Sequence, residues 1–474
     1  MPEILAISLV KRISHTYWSY ISQVVRGEPW CPVSSYPGDF EYIDHTIAME
    51  HVMNAEEQKI LETVDSLRDD IIDFTLRLVA QPSTLGQEEG AVQVMEEELQ
   101  RLGFTTTAIP LDNKALAEHP GFAPTPWQTG TRKNIIGRRP AQAEGGKSAL
   151  FNGHLDVVNA GSPELWSNYP FSPHIHDGWL YGRGAGDMKS GVAAMTYSVH
   201  ALDKAGFGLC APVTVEAVIE EECSGNGALA CIAAGYEAEA VLIPEPFGPT
   251  ILTDQVGVLW FKVSLSGKPT HVLEAPSGVN AIEKCYPLFT ALRSLEARLN
   301  ETNVPEAYKD MDHPLNLNIG MIEGGDWPST VPSEASFHAR LSYFPGTDYT
   351  TICNIIESTI TKCAQQDPWL RHNMPRVEFY GFRSDGHSLS RDLPALTTLD
   401  QCHMSLTGKQ AESYISTCTT DLRAFHWYTN SQPTCYGPIA ENIHGIDERV
   451  NLESVMQVAR TYALFLARWC KLYQ

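Results

Sequence analysis

Basic residues are scarce in this chain: 34 Lys and Arg stand against 57 Asp and Glu among 474 residues, a formal charge of −23. Such a surface repels polyanions, so neither nucleic acid nor a membrane surface is expected as a partner. No Cys-x-x-Cys pair occurs among the eleven cysteines. An odd count in so long a chain fits reduced, buried thiols better than a disulfide framework, and a cytoplasmic location is the expectation. Long apolar runs are missing too. Ile4 to Val10 spans seven residues and is followed by Lys11 and Arg12, which suits neither a signal peptide nor a membrane span. Repeats and low-complexity tracts are absent. What is present is 43% apolar residues, ample for two hydrophobic cores in a chain of this length.

Residues 1–54 carry aromatics, Pro and Gly without periodicity and are expected to form an N-terminal extension. Helical spacing then runs from Glu56 to Val79 and from Gly90 to Gly103. Short apolar runs at Ser148 to Phe151, Val213 to Ile219 and Ala240 to Ile243 read as buried strands, with a helical stretch from Lys189 to Ala205 between the first two. Strands alternating with helices predict an α/β layered sheet, and in such sheets ligands gather beyond the carboxyl ends of the strands.

From Leu259 the pattern changes. Strands at Leu259 to Leu265, Leu315 to Ile322, Ala335 to Tyr343 and Arg376 to Tyr380 enclose helices at Val279 to Leu299 and Thr350 to Ala364. That order is β-α-β-β-α-β, a ferredoxin-like α+β insert. The expected division is therefore an extension (1–54), a catalytic domain in two parts (55–258 and 381–474) and an inserted domain (259–380). The loop with His444 and a final helix from Leu452 to Leu472 return to the first sheet.

Ionisable residues cluster at the predicted strand ends. His154 and Asp156 alternate in Gly-His-Leu-Asp, so both side chains project to one side. Asp156 is placed to orient the imidazole as an outer carboxylate. Asp187 follows Gly182-Arg-Gly-Ala-Gly186, which is not a phosphate loop: a dinucleotide fingerprint needs glycine where Asp187 stands, and no Lys-Ser/Thr follows Gly186. These glycines instead let the backbone approach a metal closely, leaving Asp187 to bridge two ions. Glu220, Glu221 and Glu222 cap an apolar strand, so one carboxylate is free to hold metal while a neighbour holds water. Glu245 lies between Pro244 and Pro246, and His444 lies in a loop. Imidazole and carboxylate together are a donor set for zinc and neighbouring divalent ions.

These motifs, in order, resemble the M20 metallopeptidase family, nearest its acetylornithine deacetylase and succinyl-diaminopimelate desuccinylase branch, over about residues 60 to 470. The resemblance implies a zinc-hydrolase catalytic domain, with a mixed sheet flanked by helices, and a lid that dimerises. It also implies two divalent ions, most naturally zinc, with cobalt or manganese as substitutes. His154, Asp187 and Glu245 would hold one ion; Asp187, Glu222 and His444 would hold the other. Glu221 would be general base and then acid. The family usually has Asp where Glu220 stands, and a cis peptide after the bridging Asp, here Asp187-Met188. Gly267-Lys-Pro-Thr-His271 matches a histidine that reaches a partner subunit's active site and stabilises an oxyanion. Arg340 matches a carboxylate-binding arginine, Thr330 stands where Asn is usual, and Asp421 with Arg423 matches an Asp-x-Arg pattern near the pocket. The implied activity is hydrolysis of the amide bond in a small N-acylated amino acid or amine, with a dipeptidase or carboxypeptidase as the alternative and a catalytically silent binding protein as a remote one. A homodimer is implied.

Overall fold

The computed structural model of the protein describes residues 53–127 and 130–473; the expected N-terminal extension falls almost wholly outside them. Ten strands, numbered along the chain, build two sheets. The first contains β1 (Thr105–Pro110), β2 (Lys133–Arg139), β3 (Ala149–His154), β4 (Val213–Val218), β5 (Ala240–Ile243) and, after the second sheet's strands, β10 (Gln432–Cys435). The second contains β6 (Gly257–Ser266), β7 (Leu317–Gly324), β8 (Glu334–Tyr343) and β9 (Arg376–Ser384).

The first sheet has the order β1-β2-β4-β3-β5-β10. β4, β3, β5 and β10 are parallel neighbours, while β1 and β2 join antiparallel. Parallel strands are buried on both faces and read as continuous apolar runs, which is why β3, β4 and β5 stand out in the sequence. β1 and β2 lack such runs: β1 is Thr-Thr-Thr-Ala-Ile-Pro with four exposed positions. The parallel register sets His154 opposite Val218 and Phe151 opposite Leu242. The carboxyl ends of β3, β4 and β5 therefore open on the same edge. One apolar core draws on residues from Ile60 to Leu252 and from Ala395 to Cys470. A separate core draws on Leu259 to Leu370, under a sheet ordered β7-β8-β6-β9 in which every pairing is antiparallel.

Several elements differ from their expected bounds for identifiable reasons. The run from Glu56 to Val79 is two helices, Ala55–Ser66 and Arg68–Val79, because Leu67 leaves helical geometry at φ −97° and ψ 7°. The expected helix from Val279 begins only at Cys285. Val279 is held by reciprocal backbone hydrogen bonds with Lys268, and the Asn280 side chain accepts from the Ile282 and Glu283 amides, so these residues make a turn instead. The last helix keeps α geometry only over Leu452–Leu466. Lys471 has a positive φ, and Leu472 then pairs with Leu209.

The Ser190–Lys204 helix starts three residues after Asp187 and is almost wholly buried, so its seating fixes where Asp187 emerges. Glu98 of the Glu89–Arg101 helix helps to seat it. Its carboxylate accepts from Tyr197 Oη at 2.5 Å, from Arg101 at 2.5 and 3.1 Å and from Arg77 at 2.8 Å, joining three helices. Burial alone would raise the Glu98 carboxyl, but hydrogen bonds from Arg101, Tyr197 and Arg77 outweigh it and pull the group down to about 2. A carboxyl lowered on folding stabilises the fold above its unfolded value of about 4.3. That contribution disappears as pH falls from there towards 2. Glu98→Gln is therefore expected to be less stable than wild type at neutral pH and to show a flatter loss between pH 4.5 and 2. Urea unfolding across that range measures it, and parallel pH profiles would contradict the assignment.

Candidate metal centre

At the shared edge, His154 closes β3. Its Nδ1 hydrogen-bonds the Asp156 backbone carbonyl at 2.8 Å, which aims Nε2 at Asp187 Oδ1, 3.0 Å away. The orienting group is thus the carbonyl of Asp156; its carboxylate lies 3.8 Å from Nδ1. That carboxylate instead accepts the amide N–H groups of Glu221 at 3.3 Å and Glu222 at 3.1 Å, holding the glutamate turn beside the histidine.

The three consecutive glutamates separate by environment. Glu220 takes a left-handed backbone, φ 67°, and turns its carboxylate inward to Arg132, to Trp127 Nε1 at 2.8 Å and to Ser224 Oγ at 2.6 Å. Glu222 Oε1 meets His444 Nε2 at 3.1 Å. Glu221 is buried, and its Oε1 has no hydrogen-bond partner among the described residues. The residues alone left open which carboxylate faces the donors, and the resemblance implied Glu222 for metal and Glu221 for the proton; the turn geometry gives each a different neighbourhood.

Asp187 follows a glycine loop and a cis peptide joins it to Met188. Its two oxygens diverge: Oδ1 faces His154, and Oδ2 lies 3.4 Å from His444 Nε2. Two donor groups result, His154, Asp187 and Glu245, and Asp187, Glu222 and His444, each with ligand atoms within 4.8 Å of one another. Asp187 belongs to both.

Electrostatics supports a cationic occupant. Burial pushes the Glu221 and Glu245 carboxyls well up, and repulsion from Asp187 pushes Glu245 further. Burial also carries Asp156 to about 7. Burial opposes a charge on His444, yet Glu222 and Asp187 lift its pKa to about 11. His154 is raised in the same way, against burial, chiefly by Asp187. Both imidazoles are thus drawn towards the positive charge that the carboxylates demand. A divalent ion at each position answers the same demand with donors of the right chemistry.

The remaining expected site residues lie on the second sheet, in an isolated bridge between its connecting loops, or beside the glutamate turn. His271 and Thr330 form an isolated β-bridge; His271 is exposed and its Nδ1 accepts from the Leu273 amide at 3.0 Å. Among the described residues no hydrogen bond or ion pair links either to the donor groups. Arg340 on β8 pairs in register with Trp260 and has no hydrogen-bond or ion-pair partner among the described residues. Burial holds its guanidinium below its ordinary value. Arg423 donates to Ser224 O at 3.0 Å and to Thr420 O at 2.7 Å, bracing the turn after Glu222. Asp421 beside it is buried, with no hydrogen-bond partner for either carboxylate oxygen among the described residues. Glu448, which no motif marks, accepts the Asp187 amide at 2.9 Å; its nearness in sequence to His444 was the available signal.

The sequence profile described as Peptidase family M20/M25/M40 matches residues 150–468. The chain belongs to this family. This M20 protein is 26% identical over 351 residues to N-formyl-4-amino-5-aminomethyl-2-methylpyrimidine deformylase of Halalkalibacterium halodurans, covering 70% of this chain and 81% of the relative. It is 26% identical over 411 residues to succinyl-diaminopimelate desuccinylase of Maricaulis maris, covering 83% and 94%. The solved dipeptidase Dug1p of Saccharomyces cerevisiae superposes with a TM-score of 0.74 at 15% identity, covering 88% of this chain and 99% of that one. The M20 chain is thus a hydrolase of mixed α/β fold.

A metal ion at these imidazoles would have to displace any protons they hold. Zinc binding at pH 7 is expected to release protons and to tighten as pH rises, which calorimetry in buffers of different ionisation enthalpy reads directly. Asp187→Ala should reduce zinc content more than Glu222→Ala, since of the two only Asp187 belongs to both donor groups. Equal metal content in the two variants would contradict the bridging geometry.

Proposed function

We propose that this M20 enzyme hydrolyses the amide bond of a small N-acylated amino acid or amine, using two divalent ions, most naturally zinc, with cobalt or manganese as substitutes. The observation that carries this reading is Glu221: a buried carboxyl with an unpartnered oxygen beside two converging donor groups. His154, Asp187 and Glu245 would hold one ion and Asp187, Glu222 and His444 the other. When bound, the ions supply the positive charge that polarises a substrate carbonyl and acidifies a water.

The protein's own groups supply the rest. Asp156 fixes the Glu221 and Glu222 amides and so the direction of both side chains. Glu221 accepts the proton of the attacking water and returns it to the leaving nitrogen, so that the C–N bond breaks to a neutral amine. Burial favours its neutral form, which suits the step in which it gives the proton to the leaving nitrogen.

Arg340 supports a substrate that carries a carboxylate, because an unpaired and partly desolvated guanidinium gains a strong charge-assisted bond from one. A dipeptide carries such a group as well, which keeps dipeptidase or carboxypeptidase action as the second reading. Relatives named for deformylation and desuccinylation favour the acyl-amide substrate. His271 and Thr330 lie on an exposed part of the lid beside Leu273 and Trp327, which are 84% and 68% exposed. This supports a homodimer in which His271 serves a partner subunit's site. A cytoplasmic location fits the free cysteines among the described residues.

Glu221→Gln is expected to keep both metals and lose about 10²- to 10⁴-fold in kcat, the usual worth of general acid–base catalysis. Undiminished turnover would remove Glu221 from the mechanism. Arg340→Ala should raise KM about 10- to 100-fold for carboxylated substrates, the worth of one charged hydrogen bond, and leave neutral amides unchanged. A panel of N-formyl, N-acetyl and N-succinyl compounds beside dipeptides identifies the substrate class. Cleavage of dipeptides alone would overturn the first reading in favour of the second.

A further inference from the structure

Two loops bring donors to the second metal position: the one ending at Asp187 and the one carrying His444. Both converge on a carboxylate that offers the metal nothing. Glu448 is fully buried. Its Oε1 accepts the amides of Gly186 and Asp187, each at 2.9 Å. Its Oε2 accepts the amide of Gly184 at 3.1 Å and the Arg183 guanidinium at 2.6 Å. Its backbone carbonyl accepts the Gly182 amide at 3.0 Å. Arg183, 2% exposed, extends its other amino group to Gly445 O, 3.0 Å away, next to His444.

Four donors on two oxygens require an ionised carboxylate. An amide in its place would turn an NH₂ group towards N–H donors and leave them unpaired. The approach is also tight: a Cβ at Gly186 would meet the Ala440 Cβ at 2.6 Å and Glu448 Oε1 at 3.4 Å. The clamp therefore fixes the loop of Asp187 against the loop of His444 without touching either donor atom.

We propose that Glu448, held by Arg183, is a positioning residue that sets the separation of Asp187 and His444 and thereby the affinity of the second metal position. This rests on the two-metal reading above. The two positions depend on the clamp unequally. The first takes only Asp187 from the clamped loops, since His154 and Glu245 come from the ends of β3 and β5. The second takes Asp187 and His444, two of its three donors. Loosening the clamp must weaken the second position more than the first.

Zinc titration of full-length Glu448→Gln, with a competing chelator and a thermal melt of the metal-free protein, tests this. The metal-free variant is expected to melt cooperatively and to bind its first zinc nearly as wild type does. Its second zinc should bind about 10- to 100-fold more weakly, the range for outer-shell partners of metal ligands. Unchanged binding of both equivalents, or equal weakening of both, would overturn the proposal. If Glu448→Gln does not fold, Arg183→Lys gives the same readout, because it keeps a charge on Glu448 but loses the reach to Gly445. A wild-type chain that binds no zinc would refute the two-metal reading itself, which the wild-type titration separates from failure of the clamp.

Discussion

A single carboxylate organises the centre of this protein. Asp187 sends one oxygen to His154 and the other towards His444, so donors separated by nearly 300 residues of sequence meet around one group. Its position depends on the elements on either side of it. The glycine loop before it is held to Glu448, and the Ser190–Lys204 helix after it is buried against the sheet and tied to Glu98 through Tyr197. The parallel register of β3, β4 and β5 then delivers His154, Glu222 and Glu245 to the same edge.

The cost of this arrangement is electrostatic. Asp156, Asp187, Glu221, Glu222 and Glu245 share a small region with two imidazoles, in a chain that already carries a formal charge of −23. Burial and mutual repulsion raise Glu221 and Glu245, while the histidines are drawn to the charged state by their carboxylate neighbours. Imidazoles drawn towards the protonated state by neighbouring carboxylates are suited to exchange a proton for a metal ion. Glu221 stands in the same field outside both donor groups.

Much of this was legible from local sequence. The apolar runs of β3, β4 and β5 are bounded by Gly-His-Leu-Asp, Glu-Glu-Glu and Pro-Glu-Pro, so strand and donor were visible together. The split βαβ insert was visible through its alternating strands. What escaped had physical reasons. β1 is mostly exposed and rich in Thr, so it carries little apolar signal. The helix expected at Val279 was overridden by a tertiary backbone pairing with Lys268. The resemblance implied Glu221 for the proton and Glu222 for the metal, but the surroundings that separate the three glutamates escaped: they rest on the positive φ of Glu220 and on Arg132, Trp127 and Ser224, of which only Ser224 is near the turn in sequence. Glu448 was silent because its function is to accept backbone amides from a distant loop, a task that leaves no motif.

Anomalous X-ray diffraction at the zinc edge, on crystals of the zinc-loaded protein, tests the bridging role of Asp187 directly. Two peaks are expected, one among His154, Asp187 and Glu245 and one among Asp187, Glu222 and His444, with the Asp187 carboxylate between them. One peak only, or peaks that Asp187 does not bridge, would contradict that role.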